Sequence, residues 1–266
     1  MELILSHQSA LECLRLFPAR RHRGITRTRS DAHVSGASSA AIMRHLCRSG
    51  CGSVSTPVHL FATSAEARCR CLGTRWHVHE APLPRESFWR TGEGTLSPCP
   101  ELCFVQLAET LPFPRLLEVG FELCGGYAKR PDAPDGFIKR QPVSTISLMK
   151  SFLSSCGPLR GKEQAVRAAR YLAEGSASPM ETAAYLLLCL PERYGGHGLP
   201  RARMNCRIDI DKRKRATTSK GHYRCDLLWP QTGLAVEYDS DLCHTGSPPT
   251  RTAASSSRTW ASRPSP

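Results

Sequence analysis

The sequence predicts a mixed α/β (α+β) protein in two parts: a mainly helical N-terminal region, then a smaller region of one helix and three strands. Before residue 175, apolar residues recur mostly at helical spacing, whereas alternation at every second residue dominates after residue 204. A stretch of small residues, Gly175-Ser-Ala-Ser178, separates the two patterns. The 266 residues suffice for one large domain or two ordinary ones. We therefore expect an N-terminal region 1–174 and a second region that begins near residue 175.

The N-terminal region is predicted to hold several helices. The apolar spacing places them near residues 3–16, 38–49, 101–111, 114–124, 145–155 and 161–174. Gly125-Gly126 should end the fourth of these, since glycine suits a left-handed helix stop. The alternating run from Trp76 to Glu80 predicts a strand that carries His77 and His79 on one face. Two histidines at this spacing can bind a metal ion, but more often they are partly buried strand residues.

The C-terminal region should begin with a buried helix over residues 180–190. Ser178-Pro179-Met180-Glu181 is a capping box with proline at the first helical position, and the helix that follows is almost wholly apolar. Glu181 has two interpretations that the sequence leaves open. Its carboxylate either closes the capping box on Ser178 or is a further acid of a metal site. An alternating strand over residues 204–210 comes next.

The centre of this region is a predicted hairpin in which two apolar runs flank Pro230-Gln-Thr-Gly233. If these four residues form the loop, Trp229 pairs with Leu234, and Asp226 lies opposite Glu237. Directly paired residues have Cβ atoms about 4.5–5.5 Å apart, and two carboxylates that close repel unless a proton or a cation lies between them. Asp239 points to the same side as Glu237, since strand residues alternate. The pattern therefore predicts a divalent-metal site.

The charge favours a polyanionic partner. The formal net charge is +13, which bears on association and not on fold. Basic residues near the hairpin are expected to contact the phosphates of a nucleic acid: Arg201, Arg203, Arg207, Lys212, Arg213, Lys214 and Arg215. The Lys212–Arg215 run can equally be a solvated turn.

Cysteine usage and hydropathy bear on location. The chain has 13 cysteines, and its start has neither a basic segment nor a long apolar core of a signal peptide. We therefore expect a cytoplasmic protein with free thiols and no membrane span. The spacings around Cys47, Cys69 and Cys99 do not match paired zinc knuckles, which favours scattered core cysteines over zinc ligands.

The last segment, residues 245–266, departs from the pattern before it. It has no acids, few large apolar residues and many Ser, Thr, Pro and Ala, a composition that predicts disorder. Its abrupt start is consistent with a frameshift that replaced the remainder of a domain. Translating the DNA in the other two frames tests this hypothesis, which fails if neither frame continues with a helix and a strand.

The C-terminal third resembles the PD-(D/E)xK nuclease superfamily, in particular its Vsr-like (very-short-patch-repair-like) branch. The matching segments are Ser178-Pro-Met-Glu181, Asp226-Leu-Leu-Trp-Pro230 and Glu237-Tyr-Asp239-Ser-Asp241-x-x-His244. The resemblance implies a restriction-endonuclease-like mixed sheet flanked by helices, and a Mg²⁺ ion held by Asp226 and Glu237, with Glu181 as the helix acid. Asp239 stands where the family lysine would be, and His244 would be an auxiliary acid or base.

This resemblance implies a Mg²⁺-dependent DNA endonuclease. The family continues past its histidine with a helix and a strand that residues 245–266 do not provide, so the nuclease domain is expected to be partial, over residues 175–244. The N-terminal region is loosely similar to abortive-infection type IV antitoxins from Ser6-His7-Gln8-Ser9-Ala10-Leu11 onward, which implies a DNA-binding or regulatory role. Two alternatives stay open: a non-catalytic DNA-binding or antitoxin-like regulator, and a truncated product without function.

Overall fold

The computed structural model describes residues 2–16, 38–69, 71–209 and 222–238. The chain divides into two compact units, Met1–Glu174 (unit 1) and Gly175–Pro266 (unit 2), at the position where the composition changes. Helices and small sheets alternate through the described residues, which confirms the predicted mixed α/β class. Among these residues, the model contains no helix with the length and apolar character needed to cross a membrane.

Unit 1 combines helices with three small sheets. Its described elements are β1 (Leu3–Ile4), α1 (His7–Leu16), α2 (Ser39–Arg48), β2 (Val58–Ala62), β3 (Thr74–Val78), β4 (Phe88–Gly92), β5 (Thr95–Pro98), α3 (Pro100–Ala108), α4 (Phe113–Cys124), β6 (Tyr127–Lys129), β7 (Phe137–Lys139), α5 (Ile146–Ser155) and α6 (Lys162–Ala169). The sheets are β1-β5-β4, the parallel pair β2-β3 and the hairpin β6-β7. The prediction of a mainly helical region is thus right about most helices, but it does not include most of the strands.

Two local predictions in unit 1 are wrong. The expected helix at 3–16 begins only at His7, because Leu3 and Ile4 form a strand that pairs in parallel with β5. Gly125 does not adopt the left-handed conformation, since its φ of −99° and ψ of 173° are extended. The chain leaves α4 directly into β6 at this point, so an extended residue fits better than a tight stop.

Helix α3 forms the centre of unit 1. Every residue from Pro100 to Ala108 is buried, and the helix contacts α1, α4, α5 and α6. A helix enclosed on all sides needs a largely apolar sequence, and in α3 the polar exceptions are Glu101 and Gln106. Gln106, near its C-terminal end, accepts a hydrogen bond from the backbone N–H of His7 at 3.1 Å. The core helix thereby fixes the first residue of α1.

The first turn of α1 is also attached to β2. Leu5 forms an isolated antiparallel bridge with Leu60, and the Ser6 N–H donates to the His59 carbonyl oxygen at 2.9 Å. The His59 N–H in turn donates to Ser9 Oγ at 2.9 Å. These bonds hold the start of α1 against the β2-β3 sheet.

Unit 2 consists of one helix and an antiparallel sheet in its described part. The elements are α7 (Pro179–Cys189), a short 3-10 helix (Glu192–Tyr194), β8 (Arg203–Asp209), β9 (His222–Trp229) and β10 (Leu234–Val236), with sheet order β10-β9-β8. Ser178 caps α7 as predicted, since its Oγ accepts from the Glu181 N–H at 3.1 Å. The helix contacts β9.

The prediction that α7 is buried is wrong. In this helix only Thr182 and Tyr185 are buried, whereas Met180 is 45% exposed and Leu187 is 53% exposed. A small sheet covers one side of a helix, so an all-apolar composition does not guarantee burial on every side.

Candidate functional site

The hairpin has the predicted register. Leu234 pairs with Trp229 and Val236 with Leu227, across a loop formed by residues 230–233. One further step along both strands sets Glu237 across from Asp226. Glu237 lies just beyond the end of β10, so this step rests on the register of the pairs before it.

Asp226 is half-buried, and Glu237 is exposed. The Asp226 carboxylate accepts a hydrogen bond from the Tyr238 N–H at 2.7 Å, which holds the chain after β10 against β9. Burial raises the pKa of the Cys225 thiol, and the neighbouring Cys206 and the negative charges of Glu237 and Asp226 add to this effect. The Cys225 thiol is therefore within electrostatic reach of both carboxylates.

Three exposed arginines share the sheet face with Asp226. Arg203 pairs with Leu228, and Arg207 pairs with Arg224. Paired residues point to the same side of a sheet, and alternate residues of β9 share a face with Asp226. The arginine side chains are exposed, while the opposite face of β9 carries its buried residues. Arg224 was not among the residues that the sequence singled out.

Glu181 is held by local hydrogen bonds. Its carboxylate accepts from the Ala177 N–H at 2.8 Å and from the side-chain amide of Asn205. The same amide donates to the Gly175 carbonyl oxygen at 2.8 Å. Asn205 lies between two β8 residues that pair with the neighbours of Asp226, so these two occupy the same level of the sheet. A capping box would use the N–H of Ser178, whereas the carboxylate bonds the N–H of the residue before it, so both interpretations of Glu181 stay predictions.

The remaining predicted site residues are only partly described. Arg201 is exposed just before β8. The others lie outside the described residues: Asp239, His244, Lys212, Arg213, Lys214 and Arg215.

A second cluster, in unit 1, was not predicted as a set. Among the described residues, one group of three or more His, Cys, Asp or Glu side chains has ligand atoms that all lie within 4.8 Å of one another: His7, His59 and His77. The rings of His7 and His77 are stacked, with centroids 3.6 Å apart. His77 Nε2 and His59 Nδ1 are 3.0 Å apart and share a hydrogen bond. We call these residues the histidine triad.

His7 is held in an unusual conformation. Its φ of +44° lies in the left-handed region, which side chains with a Cβ rarely adopt. Its Nδ1 is hydrogen-bonded to Ser6 Oγ at 2.7 Å, while its buried Nε2 has no hydrogen-bond partner among the described residues. Glu109 Oε2 lies 3.6 Å from Nε2, beyond hydrogen-bond distance. A strained residue with an unsatisfied buried nitrogen suggests a functional constraint.

The surroundings of the triad favour the neutral form of all three rings. Burial lowers the pKa of His7 to about 4 and that of His77 to about 3, and positive charge on neighbouring histidines adds to both shifts. Burial also lowers the pKa of His59. A neutral imidazole is the form that binds a metal ion.

A pocket of about 260 Å³ adjoins the triad. His7, His77, Glu109 and Arg160 supply polar groups of its wall, and most of its other lining residues are apolar. This volume is below the usual range for drug-sized ligands, so the pocket suits a small molecule or a few waters.

Strand alternation in the sequence instead predicts that His77 and His79 share one face. His79 follows the end of β3, and its ring lies 6.3 Å from that of Phe61. Its Nε2 is buried and, within the described ranges, has no hydrogen-bond partner. His7 and His59 belong to other elements, so no spacing in the sequence could indicate the triad.

No family model, curated protein or solved structure matches this chain. The resemblance to the PD-(D/E)xK superfamily therefore stays a prediction.

Proposed function

We propose that unit 2 is a Mg²⁺-dependent DNA endonuclease-like module in which Asp226 and Glu237 bind the metal ion. The observation that supports this proposal is the hairpin register, which pairs Val236 with Leu227. Continued by one residue, this register would set Glu237 across from Asp226. Mg²⁺ is commonly held by one or two carboxylates together with waters and substrate phosphates.

The arginines on the same sheet face support a nucleic-acid substrate. Arg203, Arg207 and Arg224 are exposed and flank the level of Asp226 along β8 and β9. Guanidinium groups bind phosphate oxygens in a bidentate manner, so this face fits a phosphodiester backbone. The net charge of +13 favours association with a polyanion in general.

The carboxylates and the arginines would have separate tasks. Asp226 and Glu237 would hold the ion, and the arginines would orient the phosphate beside it. When bound, Mg²⁺ would polarise the scissile phosphate and activate a water molecule. Glu181 would bind the ion as a further ligand or position the site through its bond to Asn205, which lies on β8 at the level of Asp226 in β9. Asp239 and His244 remain further proposed catalytic residues.

Plasmid cleavage tests the proposal. The full chain with Mg²⁺ is expected to nick or linearise supercoiled DNA, and Asp226→Asn should lower the rate at least about 100-fold, because it replaces an anionic metal ligand by a neutral one. Asparagine keeps an oxygen that can accept the Tyr238 N–H, so the hairpin should survive. Glu192→Gln, an exposed acid of the same unit, is the matched control. Equal rates for Asp226→Asn and the wild type would contradict the site assignment.

DNA binding separates the nuclease from the alternatives. Titration of a labelled duplex at several salt concentrations should show an affinity that falls with salt. In the double variant Arg203→Gln with Arg224→Gln, the slope of log affinity against log salt should become shallower by the equivalent of up to about two phosphate contacts. Salt-dependent binding without cleavage under Mg²⁺ or Mn²⁺ would favour the non-catalytic regulator, whose support is the same arginine face. Neither binding nor cleavage would favour the truncated product without function.

A further inference from the structure

We infer that His7, His59 and His77 form a Zn²⁺ site in unit 1 that is independent of the proposed nuclease site. The three residues come from α1, β2 and β3, and their ligand atoms lie within 4.8 Å of one another. Three histidines are a common protein ligand set for zinc, with a fourth position left for water or substrate.

The distances within the triad fit one shared ion. Zinc–nitrogen bonds of about 2.0–2.1 Å set two tetrahedral ligands roughly 3.3 Å apart. His77 Nε2 and His59 Nδ1 are already 3.0 Å apart. Their hydrogen bond would be exchanged for two metal bonds without a large movement of either strand.

His7 has the properties of the third ligand. Its Nδ1 is bonded to Ser6 Oγ, and a ligand histidine typically has its second nitrogen hydrogen-bonded in this way. Its ring is stacked on His77, so the ring must turn to direct Nε2 at an ion held by the other two histidines. That turn breaks no hydrogen bond at Nε2, since the described residues offer this atom none.

The surroundings favour a metal ion over a proton. Protonation of any ring would bring positive charge beside two other imidazoles, and the burial of His7 and partial burial of His59 and His77 already disfavour the charged form of all three. Zinc instead binds the neutral rings. His7 and His77 also line the pocket, as does Glu109, so the open position of the ion would face a small cavity with a carboxylate at its edge.

The cysteines are the main competitors for a thiophilic ion. Cys99 and Cys103 are fully buried with raised thiol pKa values, caused first by burial, so the metal-binding thiolate form is disfavoured there. A test must nevertheless distinguish histidine from thiolate ligands. Co²⁺ does so, because thiolate ligation adds charge-transfer absorption in the near ultraviolet.

The experiment is a Zn²⁺ and Co²⁺ titration of the EDTA-treated full chain at pH 7. We expect one Zn²⁺ site that His77→Gln and His59→Asn each weaken at least about 100-fold, a larger loss than removal of a ligand's hydrogen-bond partner causes. His79→Gln, two residues from His77 and beside the same pocket, is the matched control and should bind as the wild type does. Unchanged Zn²⁺ binding in His77→Gln would overturn the inference, as would thiolate charge transfer at the first equivalent of Co²⁺.

Two measurements on the wild type do not depend on whether the variants fold. Zn²⁺ at about 100 times its Kd should raise the Tm of unit 1 by about 5–10 °C. In NMR spectra of the histidine rings, Zn²⁺ should shift three histidines and leave the exposed His222 unchanged. Fewer than three shifted rings, or no change in Tm, would refute the site.

Discussion

Acidification from pH 7 to pH 5 should destabilise unit 1 through the buried His7 and the partly buried His59 and His77. His7, His59 and His77 all have lowered pKa values in the folded protein, with burial as the first cause. Between the folded and unfolded pKa values, the unfolded chain therefore binds more protons than the folded chain. The stability that these histidines contribute is fully present above the unfolded pKa of 6.5. It is lost as the pH falls toward the folded pKa values.

The size of the effect follows from the two pKa values of His7. Its pKa is 6.5 in the unfolded chain and about 4 in the folded one. Between these values, unfolding takes up close to one proton, so stability falls by about 1.4 kcal/mol for each pH unit. From pH 6.5 to pH 5 this amounts to about 2 kcal/mol for His7 alone. His77 adds a loss of the same sign, reduced by its partial exposure.

Urea unfolding followed by circular dichroism at pH 7, 6 and 5, with EDTA present, measures this loss. His7→Asn is the informative variant, because asparagine tolerates positive φ and removes the titrating ring. Its loss between pH 7 and pH 5 should be smaller than that of the wild type by about 2 kcal/mol. His222→Asn, an exposed residue of unit 2, should reproduce the wild-type loss. Parallel pH profiles for His7→Asn and the wild type would refute the reasoning.

Two further predictions concern the stability of unit 1. Glu122→Gln should cost about 3–5 kcal/mol in urea unfolding, because the fully buried carboxylate pairs with both Nε and Nη2 of Arg15 at 2.7 Å and the substitution leaves a largely buried guanidinium without its hydrogen-bonded counter-charge. Asp132→Asn, at an exposed ion pair, should change stability little, and equal effects of the two would contradict the argument. Gly161→Ala should lower the thermal midpoint more than Gly136→Ala: both glycines have positive φ, but only at Gly161 would the new Cβ lie 2.5 Å from a backbone oxygen. Similar midpoints for these two variants would show that the close approach is relieved at no cost.

Local rules were sufficient for several features. The four-residue loop fixed the hairpin pairing, since strand residues alternate and a slip of one residue would turn the buried side chains of β9 outward. Ser178 caps α7 because a hydroxyl at this position bonds the N–H three residues later. The chain also divides where the composition changes. Each of these depends on residues close together in the chain.

Burial and long-range contacts depend on parts of the chain that are distant in sequence. An apolar helix predicts burial, but Leu187 is exposed because the described sheet of unit 2 leaves one side of α7 uncovered. Leu3 and Ile4 fit a helical pattern, yet they form a strand because β5 offers parallel backbone partners. In both cases the partner surface lies outside the local segment, so local spacing carries no information about it.

The sequence by itself determined that His77 lies on a strand and that Asp226 and Glu237 come from the two arms of one hairpin. Only the tertiary structure decided that His77 meets His7 and His59. Their proximity depends on the first turn of α1, which backbone bonds fix to β2 and Gln106 fixes to the buried helix α3. No periodicity connects these three elements. The triad exists because backbone bonds and the core hold the start of one helix beside a parallel strand pair.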